Sequence, residues 1–305
     1  MAVTRERQTS DGGLTALDWW TLGYVVVATI ALGLSFRDDV VPHWEFLAGA
    51  HVLLVGLVLL APRARTAGAV GRFLGDWYPM LLLAALYGEI GVLTLDAGFQ
   101  NDLAIQRLEM WVFGSQISYR WIREMPVPWL SAVLHSCYLA YYAILYAAPL
   151  GLWLSGRREA SRQTILGVMV TFYLCYVVFL FFPVAGPRYA FDAAHNAATQ
   201  VGPARLAQWL LDRGDSWGAA FPSSHVAASV VATGMAIRYW RPLGLALLLP
   251  TVGLVLAVIY GQFHYGVDAL SGLLLAGGML AVMQRARVEV SARSSESVVG
   301  VLVDG

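Results

Sequence analysis

The chain has 305 residues, 58% of them hydrophobic and 13% charged, with a formal net charge of zero. A soluble domain is about 25% charged, so most of this chain belongs in a membrane, and the balanced charge gives no support to a nucleic-acid partner. All twenty basic residues are arginine, read here as the coding bias of a high-GC bacterium rather than as chemistry.

A helix needs about 20 apolar residues to cross a bilayer core. In chain order the candidate spans cover residues 19–36, 46–61, 78–95, 127–154, 165–184, 225–239, 243–260 and 265–283. The expected fold is all-α: a polytopic integral membrane protein of about eight transmembrane helices. Residues 1–17 and 285–305 are polar and read as loose tails around a membrane domain at 18–284. Residues 103–123 mix Trp111, Val112, Phe113, Ile117 and Trp121 with charges, the pattern of an amphipathic helix on the membrane surface. Residues 204–211 are a shorter candidate of the same kind. Cys137 and Cys175 lie in apolar segments and read as small buried hydrophobes.

Eight spans put both termini on one side, and arginine decides which. With both ends inside, thirteen arginines fall in inner segments and seven in outer ones. The termini are therefore expected in the cytoplasm. Arg188 in FPVAGPRY, His225 in FPSSHVAAS and His264 in FHYGVDALSG then share the outer face, because the sixth and seventh spans make one round trip between the histidines.

Residues i and i+4 share a helix face, so Asp268 is expected to touch His264 and fix its tautomer. His225 supplies a second imidazole. Ser223 and Ser224, after Pro222 at a helix start, offer hydroxyls and amides to an anion. Arg188 offers a guanidinium to a phosphate. The set suits phosphoryl transfer, one histidine attacking phosphorus and the other protonating the departing oxygen. A two-histidine, one-carboxylate metal site is the competing reading. Glu89, in LYGEIGVL, is an intramembrane acid that either bonds another helix or lines a head-group site. His135 and Tyr138, with Tyr142, share one face of the LHSCYLAYY segment, which lines a substrate cavity or packs in the core.

FPSSH and HYGVD, each opening a membrane helix, resemble the second and third motifs of the phosphatidic acid phosphatase type 2 superfamily, over roughly residues 78–284. The resemblance implies a six-helix catalytic core, His264 as nucleophile, Asp268 as its orienter, His225 as general acid, and neither metal nor cofactor. The chain departs from the family's lipid phosphatases: it has no lysine, Val258 stands where the third motif has an arginine, and Ser224 stands where the second usually has glycine. It looks closer to the branch containing inositol phosphorylceramide synthase: FPVAGPR resembles that branch's proline-rich first motif, and RLEMWVFGSQ, with Glu109 and the Phe113-Gly114 pair, resembles its acidic-then-Phe-Gly segment. That branch implies a membrane phosphotransferase, inositolphosphotransferase-like, taking a phospholipid or polyprenyl phosphate donor and a lipid alcohol acceptor. A lipid phosphate or isoprenyl diphosphate phosphatase using water is the alternative, and a non-catalytic transporter or scaffold is the third.

Overall fold

The computed structural model describes residues 13–34, 44–95 and 97–303, with side chains up to residue 285. Most of the expected N-terminal tail, residues 1–12, lies outside the described residues. The first helices are α1 (Ala16–Leu34), α2 (Trp44–Thr66), α3 (Gly68–Leu81) and α4 (Leu83–Thr94). Residues 62–77, expected as a loop, are helical apart from a tight reversal at Ala67–Gly68. Gly68 has φ +85° there, a conformation that costs glycine little. Next come α5 (Gln100–Phe113) and α6 (Ile117–Glu124), two helices where one amphipathic helix is expected. Gly114, at φ +68°, ends the first of them.

The remaining helices are α7 (Pro128–Leu139), α8 (Tyr141–Leu154), α9 (Arg158–Phe181), the short α10 (Pro187–Ala190), α11 (Gly202–Gly214), α12 (Ser224–Tyr239), α13 (Arg241–Tyr260) and α14 (Gly266–Val303). α14 stays helical through residues 286–303, where a loose tail is expected. No strand occurs among the described residues. Six helical segments, with α3 and α4 counted as one, are long and apolar enough to cross a membrane. α7 and α8 together make a seventh, bent by 41°. The sixth expected span, α12, has only 16 residues. The architecture is that of an all-α polytopic membrane protein.

α12 is the hub, packed on α8, α9, α13 and α14. Small side chains allow this: Ala227, Ala228, Ala232 and Ala236 have no exposed surface. Gly272 of α14 crosses the start of α12 so closely that a Cβ would lie 2.6 Å from the Ser223 carbonyl oxygen. That approach lets the Ser223 amide donate to the Asp268 carbonyl at 3.0 Å, which joins the two histidine segments.

An ionic staple closes the opposite end of the bundle. Arg65 of α2 makes two 2.7 Å hydrogen bonds to Asp18 of α1 and donates to the Gly75 carbonyl at 2.9 Å. Asp76 of α3 pairs with Arg158 of α9 at 2.8 Å, and Arg157 donates to the Tyr239 carbonyl at 2.8 Å. Asp18 and Asp76 are buried, so their partners matter. Arg65→Met, which leaves both acids short of a cation, is expected to cost about 3–5 kcal/mol. A drop in Tm in detergent checks it, and an unchanged Tm contradicts it.

Candidate active site

The two histidines come from separate turns. His264 lies in the link between α13 and α14, where the amides of Phe263 and His264 both fold back on the Val258 carbonyl, at 3.0 and 2.9 Å. His225 sits in the first turn of α12. His264 Nε2 and His225 Nδ1 are 3.3 Å apart. His264 Nδ1 donates to the Ala220 carbonyl at 2.9 Å, which puts the proton on Nδ1 and leaves the Nε2 lone pair facing His225. Burial pulls the His264 pKa down to about 4, against a nearby Asp215 carboxylate that pulls it up. The ring is therefore neutral at neutral pH, with a free lone pair on Nε2.

Asp268 meets His264 as expected, but not from one helix face. His264 precedes the first residue of α14, so the pair does not stack along one helix face. Asp268 Oδ2 accepts the Tyr265 amide at 2.7 Å and lies 3.5 Å from His264 Nδ1. The Ala220 carbonyl holds the ring, and the Asp268 carboxyl holds the turn through the Tyr265 amide.

Ser223 is the N-cap of α12, its hydroxyl accepting from the Val226 amide at 3.4 Å. That hydroxyl is committed to the helix. Ser224 has 2% of its surface exposed, and its amide and that of His225 lie at the first two helical positions, where no intrahelical acceptor exists. The anion-binding potential of this segment rests on those amides. Tyr138 and Tyr141 flank the His225 ring, with centroids at 5.7 and 4.5 Å.

Arg188 does come to the histidines. A backbone bridge makes this possible: the Val184 amide donates to Gly218 and the Ala220 amide to Val184, at 3.1 and 3.0 Å. The FPVAGPR turn thus lies beside the segment leading to FPSSH. Gly186 there has φ +94°. The guanidinium is not open, however. It donates to Gln208 and Asp212 of α11, and its Nε lies 3.8 Å from Asp215.

Two spaces meet at His225. A small one of about 20 Å³ is bounded by Arg188, Asp215, Ala220, His225 and His264. A larger one of about 750 Å³ extends between α4, α8, α9 and α11, with Tyr87, Tyr138, Tyr142, Tyr176, Ser224 and His225 in its wall. Tyr138 therefore lines the cavity as one of its two readings held. Glu89 and His135 line neither space. Glu89 bonds His51 of α2 at 2.6 Å, and His51 bonds Thr29 of α1 at 2.8 Å, so the acid joins helices. His135 bonds Ser131 of its own helix and packs edge-on to Tyr260 and Phe263.

Three acids that sequence reasoning did not place in the site belong to its surroundings. Asp215 accepts from the Tyr87 and Tyr189 hydroxyls, both at 3.0 Å. Asp102 and Glu109 of α5 bond the turns that carry Arg188 and His264. Burial pushes the Glu109 carboxyl up, opposed by hydrogen bonds from Ser118, Gly266 and Val267. The only sequence signal was the acidic residue of RLEMWVFGSQ. Asp102 and Asp215 sit in stretches that read as surface.

A model of the PAP2 superfamily matches residues 103–282. No curated protein and no solved structure matches the chain. The match runs from α5 to α14 and so takes in Arg188, both histidines and Asp268. With more than half its length covered, the chain belongs to the PAP2 superfamily, the phosphatidic acid phosphatase type 2 enzymes, whose lipid-related chemistry is of the phosphatase or phosphotransferase type.

Proposed function

We propose that the chain is an inositolphosphotransferase-like enzyme that moves a phosphorylated head group between lipid alcohols through a phosphohistidine on His264. The carrying observation is the 3.3 Å approach of His264 Nε2 to His225 Nδ1, with His225 also in the wall of the 750 Å³ cavity. Binding sites for drug-sized ligands occupy about 300–1,000 Å³, so a large part of a lipid alcohol fits there with its hydroxyl toward His225.

In the first half-reaction His264 Nε2 forms a bond to phosphorus, the bond from phosphorus to the lipid oxygen breaks, and His225, held as the imidazolium beside the bound anionic phosphate, gives that oxygen its proton and becomes neutral. In the second, His225 takes a proton from the acceptor hydroxyl, which attacks phosphorus and releases Nε2. The amides of Ser224 and His225 and the Arg188 guanidinium face the phosphoryl oxygens, Arg188 exchanging one carboxylate partner for phosphate. The route uses only groups of the chain, so turnover in the presence of chelator is the expected result. The site is assigned to the extracytoplasmic face because it lies opposite the end stapled by Arg65, Arg157 and Arg158.

One observation favours hydrolysis as the second reading: the small space beside the histidines is large enough for a water molecule. The test offers the purified chain, with chelator, labelled phosphatidylinositol, phosphatidic acid and isoprenyl diphosphate, with and without ceramide or diacylglycerol. A new phospholipid formed only with acceptor supports transfer. Free phosphate alone makes the chain a phosphatase, and no turnover of any donor removes the enzymatic reading.

The pH profile carries a sharper prediction. Protonation removes the Nε2 lone pair, and the His264 pKa is lowered to about 4. The acid limb of kcat/KM is therefore expected below pH 5. A midpoint near 6.5 contradicts this.

A further inference from the structure

α5 has two unlike faces. Leu103, Met110 and Trp111 are exposed, Trp111 by 82%, as suits a helix in the membrane interface. Its inner face carries Asp102 and Glu109, seven residues and so two turns apart, neither with any exposed surface. Asp102 Oδ2 accepts the Ala185 amide at 2.9 Å, and Oδ1 accepts the Gly186 amide at 2.8 Å and the Tyr265 hydroxyl at 3.0 Å. Glu109 Oε2 accepts the Gly266 amide at 2.7 Å, and Oε1 accepts the Ser118 amide and hydroxyl at 3.1 and 3.0 Å.

Ala185 and Gly186 lead directly into Pro187 and Arg188, and Tyr265 and Gly266 directly follow His264. Burying a carboxylate is costly unless hydrogen bonds compensate. Asp102 is compensated wholly by the two turns that carry site residues, and Glu109 by the His264 turn together with Ser118 of α6. A helix that only lay on the membrane would need neither.

We propose that Asp102 and Glu109 are positioning residues, which hold the Arg188 turn and the His264 turn at a fixed separation and make α5 part of the catalytic apparatus. Asp102 is the direct link, because one carboxylate bonds the first turn through two amides and the second through the Tyr265 hydroxyl. Gln106, one turn further along α5, donates to the same hydroxyl at 3.0 Å. The proposal rests on the reading of His264 as nucleophile.

The experiment uses the full chain in lipid nanodiscs, as wild type, Asp102→Asn, Tyr265→Phe and Glu109→Gln. Asn offers one amide oxygen where two carboxylate oxygens serve three donors. Tyr265→Phe removes the link between turns and leaves the Asp102 contacts to Ala185 and Gly186. The probe is whichever labelled donor of the three above the wild type turns over. The readouts are the rate and plateau of label held on the protein, and turnover per folded chain. Displacement of reacting groups by about 1 Å costs about 10²-fold. Asp102→Asn is expected to keep its plateau while its labelling rate falls at least about tenfold, with Tyr265→Phe showing a smaller fall in rate at full plateau. Wild-type rates in Asp102→Asn and Tyr265→Phe overturn the link through Asp102, and a wild-type rate in Glu109→Gln overturns the part assigned to Glu109. A plateau that falls while the surviving chains react at the wild-type rate also overturns the proposal, being loss of fold and nothing more. If wild-type label sits elsewhere than on His264, the nucleophile reading alone fails. Positioning is then decided by turnover per folded chain in Asp102→Asn, where a wild-type value overturns it.

Discussion

His264→Ala is expected to abolish turnover in a chain that still folds. The side chain makes one hydrogen bond to the backbone, from Nδ1 to the Ala220 carbonyl, and losing such a bond costs about 1 kcal/mol. Stability should therefore change little. The chemistry loses its attacking atom, and removing a nucleophile costs roughly 10⁴-fold or more in kcat. His225 cannot replace it, because its place in α12, flanked by Tyr138 and Tyr141, suits it to the lipid oxygen in the larger cavity. The check is donor turnover alongside a melting curve. Activity within tenfold of wild type at an unchanged Tm would sink the nucleophile assignment.

His225→Asn should have the second-largest effect, and a different signature. Loss of a general acid costs about 10²–10⁴-fold, but only where the departing oxygen needs a proton. With a lipid alcohol leaving, both half-reactions should slow. With a nitrophenol leaving group, which departs as the anion, the first half should recover while activation of the acceptor stays slow. Label should then accumulate on His264. An equal loss for both kinds of leaving group contradicts the general-acid role.

The absence of some basic ligands makes chemical sense in this site. Arg188 is already shared by Asp212, Asp215 and Gln208, so its charge is largely spent before substrate binds. A phosphodiester carries less charge than a phosphomonoester and asks for fewer cations. Val258, at the position of a family arginine, has no exposed surface, and its carbonyl holds the His264 turn. That position here serves the backbone instead of the phosphate.

The histidine pair could be read from sequence because each histidine lies at or just before a helix start beside turn-forming residues, and alternating spans bring such positions to one membrane face. Arg188 followed from the same logic. What contacts these groups did not. The carboxylate expected beside His264 does lie 3.5 Å from its Nδ1, but the hydrogen bond there goes to the Ala220 carbonyl, because the helix starts after the histidine instead of at it. Glu89 and His135 stayed open between a cavity and a packing role, since helical periodicity shows that residues share a face but not which neighbour that face meets. Glu109 was hidden in an amphipathic segment, residues 103–123, whose polar side reads as solvent-facing, and Asp102 stands just before it. In the fold that side meets the backbone of two turns. The arginine-rich stretch before Tyr78 read as a loop for a similar reason: Arg65 and Asp76 look solvated until their partners on α1 and α9 are known.

The central claim is a covalent intermediate on His264. The measurement that tests it most directly is a rapid alkaline quench of the wild-type chain with labelled donor and no acceptor, followed by peptide mapping. Label that is stable to alkali, labile to acid and carried by the peptide containing His264 is the predicted result, discharged when acceptor is added before the quench. Turnover with no protein-bound label, or with label on another residue, would contradict the account.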